Sequence, residues 1–519
     1  MSSNASVTVV PRKKGLILDK SPQIPGVIPE AVDIPSTNKM FVPHRPGETR
    51  ILRNMGYKVP SPIHHHYDWN GGTPFQAQKT TAAMLVCEPR AFVLSGMGTG
   101  KTRSVLFAYD YLRKQGLVRN MLVVAPLSTL NFTWAREVFF NFPDYRVGVV
   151  HGRNRREKIL TDDRFDIHVI NHDGVKVMEN ELIKKKFDII VIDEVAVFRN
   201  ARSQRHKSMA RVAKNYKYLW GLTGTPTPKD PTDAYGIIKL ITPGNREVTS
   251  FSRFREKLMY KITQFKWVPK PGAQEEVFRL MQPGVRFTMD ECIDMPPTVY
   301  SEREVKLSTK QKQCYEELRK YATTKTDNGN QVRAVNEAVL INKLLQVSSG
   351  CVYDSEKNST LLDPEDRLKI TEEVVFENDS KSIVFCPFIP LVGMVANYLE
   401  SKGCKVWQIS GATPVNTRSK IFSEFQDNAK GAAPEVLVAH PATMSHGLTL
   451  TAASLVLWYA PVDNLETYQQ ANARIARPGQ VSHKVQVMHL VSSPADRRIY
   501  RRLQSKEQVQ GSLLELFDD

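Results

Sequence analysis

From about residue 73 the chain alternates short, almost purely apolar runs with longer amphipathic stretches. The first series is AFVLSG (91–96), MLVVAP (121–126), IHVIN (167–171), FDIIVID (187–193) and YLWGLTG (218–224). Apolar runs without polar alternation fit strands buried on both faces, as in a parallel sheet covered by its crossover helices. A second series follows: SIVFCPF (382–388), CKVWQIS (404–410), EVLVAH (435–440), SLVLWYAP (454–461) and VQVMHLV (485–491). The pattern predicts an α/β protein with two doubly wound parallel-sheet lobes. Residues 1 to about 70 are Pro-rich and aperiodic; PRKKG (11–15) and VPSPIHHHYDWNGG (59–72) read as loop or extended arm. Residues 245–300 are irregular and mixed in charge, and MPP (295–297) marks a boundary. The expected organisation is an N-terminal arm (1–72), a first lobe (73–245), an insertion or linker (246–300) and a second lobe with a closing helix (301–519).

Composition narrows the class. A chain of 519 residues can bury a sizeable core without disulfides or metals. Lys and Arg outnumber Asp and Glu by 71 to 54, a net charge of +17. Such a surplus favours polyanions, of which nucleic acid is the commonest for a soluble protein; a merely basic surface is the other reading. The six cysteines form no CxxC pair, which argues against a zinc site and a disulfide framework. The triplet His64-His65-His66 reads as a solvated loop rather than a metal site, since ligands need partners at set spacings. No apolar segment follows Met1 and no run of about 18 apolar residues occurs. The expectation is a cytoplasmic protein, of a bacterium or of an infected host cell.

Three segments carry chemistry. The run AFVL leads into SGMGTGKT (95–102) and then into a helical stretch. Glycines there let backbone N–H groups face phosphates at a helix N-terminus. Lys101 reaches the β- and γ-phosphates and Thr102 binds Mg²⁺ in this reading, although Ser95 stands where the strict GxxxxGK[ST] pattern has Gly. FDIIVIDEV (187–195) ends in two carboxylates, Asp193 for the metal and Glu194 to activate water. YQQANARIARPGQ (468–480) places Gln470, Arg474 and Arg477 at i, i+4 and i+7, one face of a helix and the row that an arginine finger requires.

Taken in order over about 73–510, these segments resemble the Swi/Snf-type branch of superfamily 2 DNA translocases, in the compact form of bacterial and phage members. TPFQ (73–76) resembles the Q motif, which makes Gln76 the adenine candidate. The resemblance of MGTGKT to motif I implies nucleotide contacts from Gly96, Met97, Gly98, Thr99, Gly100, Lys101 and Thr102. VVAPLSTLNFTWAREV (123–138) is similar to motif Ia, implying nucleic-acid contacts at Thr129 and Trp134; a core position is the equal alternative for Trp134. DEVAVFRN (193–200) resembles motif II, and LTGTPTPKDPTDAYGIIKLITPG (222–244) motif III with its extension. In the second lobe SIVFCPF resembles motif IV, HPATMSHGLTLTAAS (440–454) motif V with Thr443 as a nucleic-acid candidate, and QQANARIARPGQ motif VI. SGATPVNTRSKIFSEFQ (410–426) is similar to the segment after motif IV, and DRRIYRRLQSKEQVQ (496–510) to the helix that closes the fold. Ala196, Thr449, Ala473 and Ala476 depart from the residues usual in the family, and none of them is a phosphate, metal or finger residue.

The resemblance implies two RecA-like lobes, ATP and Mg²⁺ as nucleotide and cofactor, and movement along DNA, in most members duplex DNA that is not separated. It implies a compact replication, recombination or repair motor, because no chromatin-reading or zinc module is identifiable in the sequence; no wedge hairpin for strand separation is identifiable either. An ATP-binding clamp or switch is the competing class, and an RNA-directed helicase the third. Arg253, Arg255, Lys257, Lys261 and Lys266 are either DNA contacts or a solvated basic surface.

Overall fold

The computed structural model describes residues 7–503, apart from 70–71, 153–154, 215, 228–229, 264–265, 293–295, 322–323, 326–330, 333–336, 355, 357, 428–430, 432, 445–448 and 478. The chain forms two compact units that divide between Ile293 and Asp294.

The first unit is built on a seven-stranded, wholly parallel sheet. Its strands are β1 (Arg90–Val93), β2 (Met121–Ala125), β3 (Val147–Val149), β4 (Ile167–Asn171), β5 (Ile189–Asp193), β6 (Tyr218–Leu222) and β7 (Gly284–Val285). Their order is β7-β1-β6-β5-β2-β4-β3. Successive residues of one strand enter opposite cores. Ile190 and Ile192 join one apolar cluster, and Ile189 and Val191 the other. A strand covered on both faces has no polar side to alternate with, so all five runs expected here form strands.

One expectation for this unit fails. The described residues of the expected arm, 1–72, are not irregular. Thr8–Val10, Gly15–Asp19, Lys39–Pro43 and Val32–Ile34 form an antiparallel four-stranded sheet in that spatial order. It has its own core of Leu16, Leu18, Met40, Val42, Ile24 and Leu52. Within PRKKG, Pro11–Lys13 form a 3₁₀ turn and Lys14 takes φ +47°, reversing the chain between two strands. Of the two readings of 246–300, the described residues fit an insertion in the first unit rather than a linker. Its helices Phe251–Leu258 and Ala273–Leu280 supply Phe254, Leu258, Val277 and Leu280 to the first unit's core, and β7 pairs with β1.

The second unit carries a six-stranded parallel sheet: β8 (Thr298–Glu304), β9 (Lys381–Phe385), β10 (Lys405–Ile409), β11 (Glu435–Ala439), β12 (Ala453–Trp458) and β13 (Val485–Val491). The order is β8-β13-β12-β9-β11-β10. Ile383 and Phe385 face one core, Val384 the other. A fully buried ion pair, Arg367 Nη2 to Asp496 Oδ2 at 3.0 Å, joins the helix Glu365–Phe376 to the chain after β13. Ser348 Oγ donates to Asp496 Oδ1 at 2.9 Å, and the Ser492 N–H to Asp496 Oδ2 at 2.9 Å. The closing segment therefore begins on a satisfied buried carboxylate; its residues 504–510 lie outside the described ones. Among the described residues no helix is long and apolar enough to cross a membrane, and no group of three or more His, Cys, Asp or Glu is placed to hold a metal ion. His66 of the triplet instead bonds His44, Nε2 to Nδ1 at 3.0 Å.

Candidate active site

In the first unit β1, β6 and β5 are neighbours, so the loops after them lie side by side at the carboxyl edge of the sheet, where open α/β sheets bind ligands. These loops hold SGMGTGKT, LTGT and the Asp193-Glu194 pair. After β1 the chain turns through Gly98 (φ +80°) and Gly100 (φ +79°) into helix α1 (Lys101–Lys114). At Gly100 two constraints coincide. The backbone is left-handed, and a Cβ would collide with the Gln78 amide. Lys101 Nζ donates to the carbonyls of Ser95 and Gly96, each at 2.9 Å, folding its ammonium over the loop. Thr99 is buried and donates its hydroxyl to Gly96 O, while Thr102, half-buried, stands in the first turn of α1.

Ser95 explains its departure from glycine. Its Oγ accepts the Phe287 N–H at 3.0 Å, and the Gly96 N–H donates to Phe287 O at 2.8 Å. The segment after β7 is thus tied to the loop.

Asp193 ends β5 almost enclosed. Its Oδ2 accepts the Trp134 indole N–H at 2.9 Å and its Oδ1 the Glu194 N–H at 3.1 Å. Its backbone carbonyl accepts from His172 Nε2 at 2.8 Å. Burial lowers the pKa of His172, so the ring is a neutral donor there. Glu194 follows at φ +51°, a conformation costing a non-glycine residue about 1–2 kcal/mol. Thr223 Oγ1, just after β6, donates to Glu194 Oε2 at 3.3 Å. Ala196 is enclosed in the apolar core that includes Val195 and Phe198.

Two of the three nucleic-acid candidates are buried. Trp134 is fully buried and donates its indole N–H to Asp193, the core position that is the other reading of this residue. A π-helical turn, Leu130–Ala135, carries it there. Thr129 is also buried, with its hydroxyl on Pro126 O. Gln76 is exposed at the start of helix Gln76–Cys87. Gln78, which the sequence reading missed, is buried; its Oε1 accepts the Phe75 N–H at 3.0 Å and its Nε2 faces Gly100. A Gln at the third helical position is the signature that could have found it.

In the second unit, helix α2 (Leu465–Asn472) stops before both arginines, so Gln470, Arg474 and Arg477 do not share a helix face. Two tertiary bonds compete with the helix. Asn472 Oδ1 accepts the Trp458 indole N–H at 2.8 Å, and Arg474 O accepts the Leu450 N–H at 2.9 Å. Gln470 is buried and donates to Glu466 Oε1. Arg474 is buried, whereas Arg477 is half-buried and donates to Ala473 O and, at 3.3 Å, to Thr449 Oγ1. Motifs V and VI therefore meet within the unit. Thr443 is half-buried, its hydroxyl on His440 O at 2.6 Å. The SHGL of motif V (445–448), Pro478 of motif VI, and Pro228 and Lys229 of the motif III extension lie outside the described residues.

Comparison with known proteins agrees with this order of motifs. The SNF2-related domain matches residues 85–355 and the helicase conserved C-terminal domain residues 366–479. A putative protein p41 of Acyrthosiphon pisum secondary endosymbiont phage 1 is 25% identical over 471 residues, covering 85% of this chain and 98% of the phage protein. An uncharacterized ATP-dependent helicase of Mycoplasma genitalium is 24% identical, with 81% of this chain and 40% of that protein aligned. The SWI/SNF-related matrix-associated actin-dependent regulator of chromatin subfamily A-like protein 1 of Xenopus laevis is 26% identical, with 84% and 43% aligned. The chain thus spans nearly all of the phage relative but about two fifths of the other two. Among solved structures, the Sulfolobus solfataricus SWI2/SNF2 ATPase core in complex with dsDNA aligns over 86% of this chain and 95% of that one, at 20% identity and a TM-score of 0.42. The SNF2-related match covers just over half of the 519 residues, and the chain belongs to the SNF2-type family of helicase-like ATPases.

Proposed function

We propose that this protein is a DNA-dependent ATPase that hydrolyses ATP to move along DNA. The observation that carries the reading is the convergence of Lys101 and Thr102 after β1, Thr223 after β6 and Asp193 and Glu194 at the end of β5, three adjacent strand ends of one sheet. In this reading the loop Gly96–Thr102 cradles the phosphates with backbone N–H groups, and Lys101 exchanges its loop carbonyls for phosphate oxygens. Mg²⁺ fits the donor set, since one carboxylate and one hydroxyl are the few hard oxygen ligands it takes from a protein beside phosphate. Asp193 keeps a lone pair on each oxygen after its bonds to Trp134 and the Glu194 N–H. When bound, the ion neutralises charge on the phosphates. Glu194, pinned by Thr223, orients the attacking water and takes its proton. Arg474 and Arg477 supply positive charge as fingers, Gln470 supports them, and Gln76 reads adenine.

The +17 charge supports a polyanion, in this reading duplex DNA, as the track. Gripping backbone rather than bases predicts little sequence preference and strong salt dependence. The frog relative's name refers to chromatin, while the phage relative matches this chain's length; replication, recombination or repair is the process we favour. The test is ATP hydrolysis by wild type and Glu194→Gln with no nucleic acid, duplex DNA, single-stranded DNA or RNA at fixed salt. Stimulation by duplex DNA that the mutant loses is the expected outcome. Equal rates under all conditions would replace the motor with an ATP-binding clamp or switch.

A further inference from the structure

Between β6 and β7 the first unit carries a small antiparallel hairpin, Met259–Lys261 paired with Trp267–Pro269. The Ile262 N–H donates to Lys266 O at 2.9 Å, the Thr263 N–H to the same carbonyl, and the Lys266 N–H to Thr263 Oγ1 at 3.0 Å, so the turn is braced. Its base is anchored by Leu258 and Met259 in the core.

The structure separates three of the five basic residues of this region. The Arg255 guanidinium lies on the Trp267 ring, 4.1 Å from its centroid. Lys257 is paired with Glu247 and Glu276. These two serve the fold. Lys266 is exposed and makes no ion pair with a described residue. The register pairs Tyr260 with Val268, and the turn sets Ile262 opposite Lys266. Tyr260, Ile262, Lys266 and Val268 therefore share one face. Tyr260 is 52% and Ile262 58% exposed, and the Lys270 ammonium sits 5.3 Å from the Tyr260 ring centroid. Lysines on an edge strand discourage pairing with other chains. That purpose does not call for an exposed aromatic and an exposed isoleucine beside them.

We propose that this hairpin face binds single-stranded nucleic acid, Tyr260 stacking on an unpaired base and Lys266 and Lys270 meeting the backbone. Charge complementarity selects the occupant: Lys261, Lys266 and Lys270 and no carboxylate lie between Leu258 and Gln274. The aromatic selects the single strand, because a duplex hides base faces in its stack while a single strand offers them. The inference rests on the reading of this protein as a DNA motor and adds to it a grip on unpaired bases.

The test uses the full chain, a fluorescent 25-nucleotide oligo(dT) and a duplex of equal length, followed by anisotropy, with duplex-stimulated ATP hydrolysis measured in parallel. Tyr260→Ala is expected to weaken oligo(dT) binding about ten-fold and duplex binding less than about two-fold, and Tyr260→Phe to restore it. Lys266→Ala is expected to lower the salt slope of oligo(dT) binding by about 0.7, one phosphate contact. Unchanged oligo(dT) affinity in Tyr260→Ala, or equal losses on both substrates, overturns the hairpin's role while duplex-stimulated hydrolysis leaves the motor standing. Absence of nucleic-acid stimulation in the wild type overturns both. Tyr260 is outside the core, so an unchanged melting temperature confirms that the variant is folded.

Discussion

Asp193 and Arg477 stand at opposite extremes of how this chain fixes a charged group. Asp193 closes a buried strand and is bonded from three directions, by Trp134, His172 and the Glu194 N–H. Arg477 lies in turns beyond a finished helix, half-buried, and its side chain bonds one carbonyl and one threonine hydroxyl. The carboxylate sits in a frame that leaves it little freedom. The guanidinium sits in turns and bonds only a carbonyl and a hydroxyl of the described residues. A metal ligand needs a fixed position before the ion arrives, whereas a group that meets charge only as the reaction proceeds needs reach.

The sharpest way to break this contrast is to remove the charges. Arg477→Ala is expected to lower turnover by about 10³-fold or more while nucleotide binding changes little, and single-turnover hydrolysis with a separate ATP titration checks it. A loss confined to ATP affinity would make Arg477 a binding residue. Next comes the buried pair of the second unit. Asp496→Ala leaves Arg367 uncompensated and is expected to cost about 3–5 kcal/mol of stability, read by denaturant unfolding. Trp134→Phe keeps the buried ring and deletes only the N–H on Asp193. It is expected to raise the Mg²⁺ concentration for half-maximal hydrolysis by about 10- to 100-fold with little change in melting temperature. If only the melting temperature moves, Trp134 is packing and the three-sided frame is not functional. The smallest effect is on pH. Burial pushes His168 in the first unit and His489 in the second down to about 4, well below the unfolded value. Between about 6.5 and 4 the unfolded chain binds more protons, so stability is full above that window and falls as pH falls through it. Melting curves from pH 7.5 to 4.5 check the direction, and His168→Gln is expected to flatten the dependence.

What the sequence discloses here follows from range. Ile189–Val191 and Ile383–Phe385 are legible as strands because every residue is buried and therefore apolar. The loop at Gly100 is legible because left-handed backbone demands glycine. The N-terminal sheet is not, because strands of three to five residues broken by prolines leave too short a period. Nor is the bond from Trp134 to Asp193, which spans 59 positions. The stretch from Ala473 to Arg477 reads as helix since Ala and Arg favour it; the contacts of Leu450 and Trp458 decide otherwise.

The tie between Ser95 and Phe287 spans 192 positions and has a consequence for synthesis. On a ribosome adding about 5–20 residues per second, the glycine loop emerges about 10–40 s before the strand that clamps it. Until Phe287 leaves the exit tunnel, the Ser95 hydroxyl and the Gly96 N–H lack their partner, and the sheet lacks its seventh strand. A nascent chain halted before that point holds the whole of SGMGTGKT in sequence and none of its clamp. The clamp on the glycine loop thus arrives with the completion of the first unit's sheet, well after the loop itself has been made.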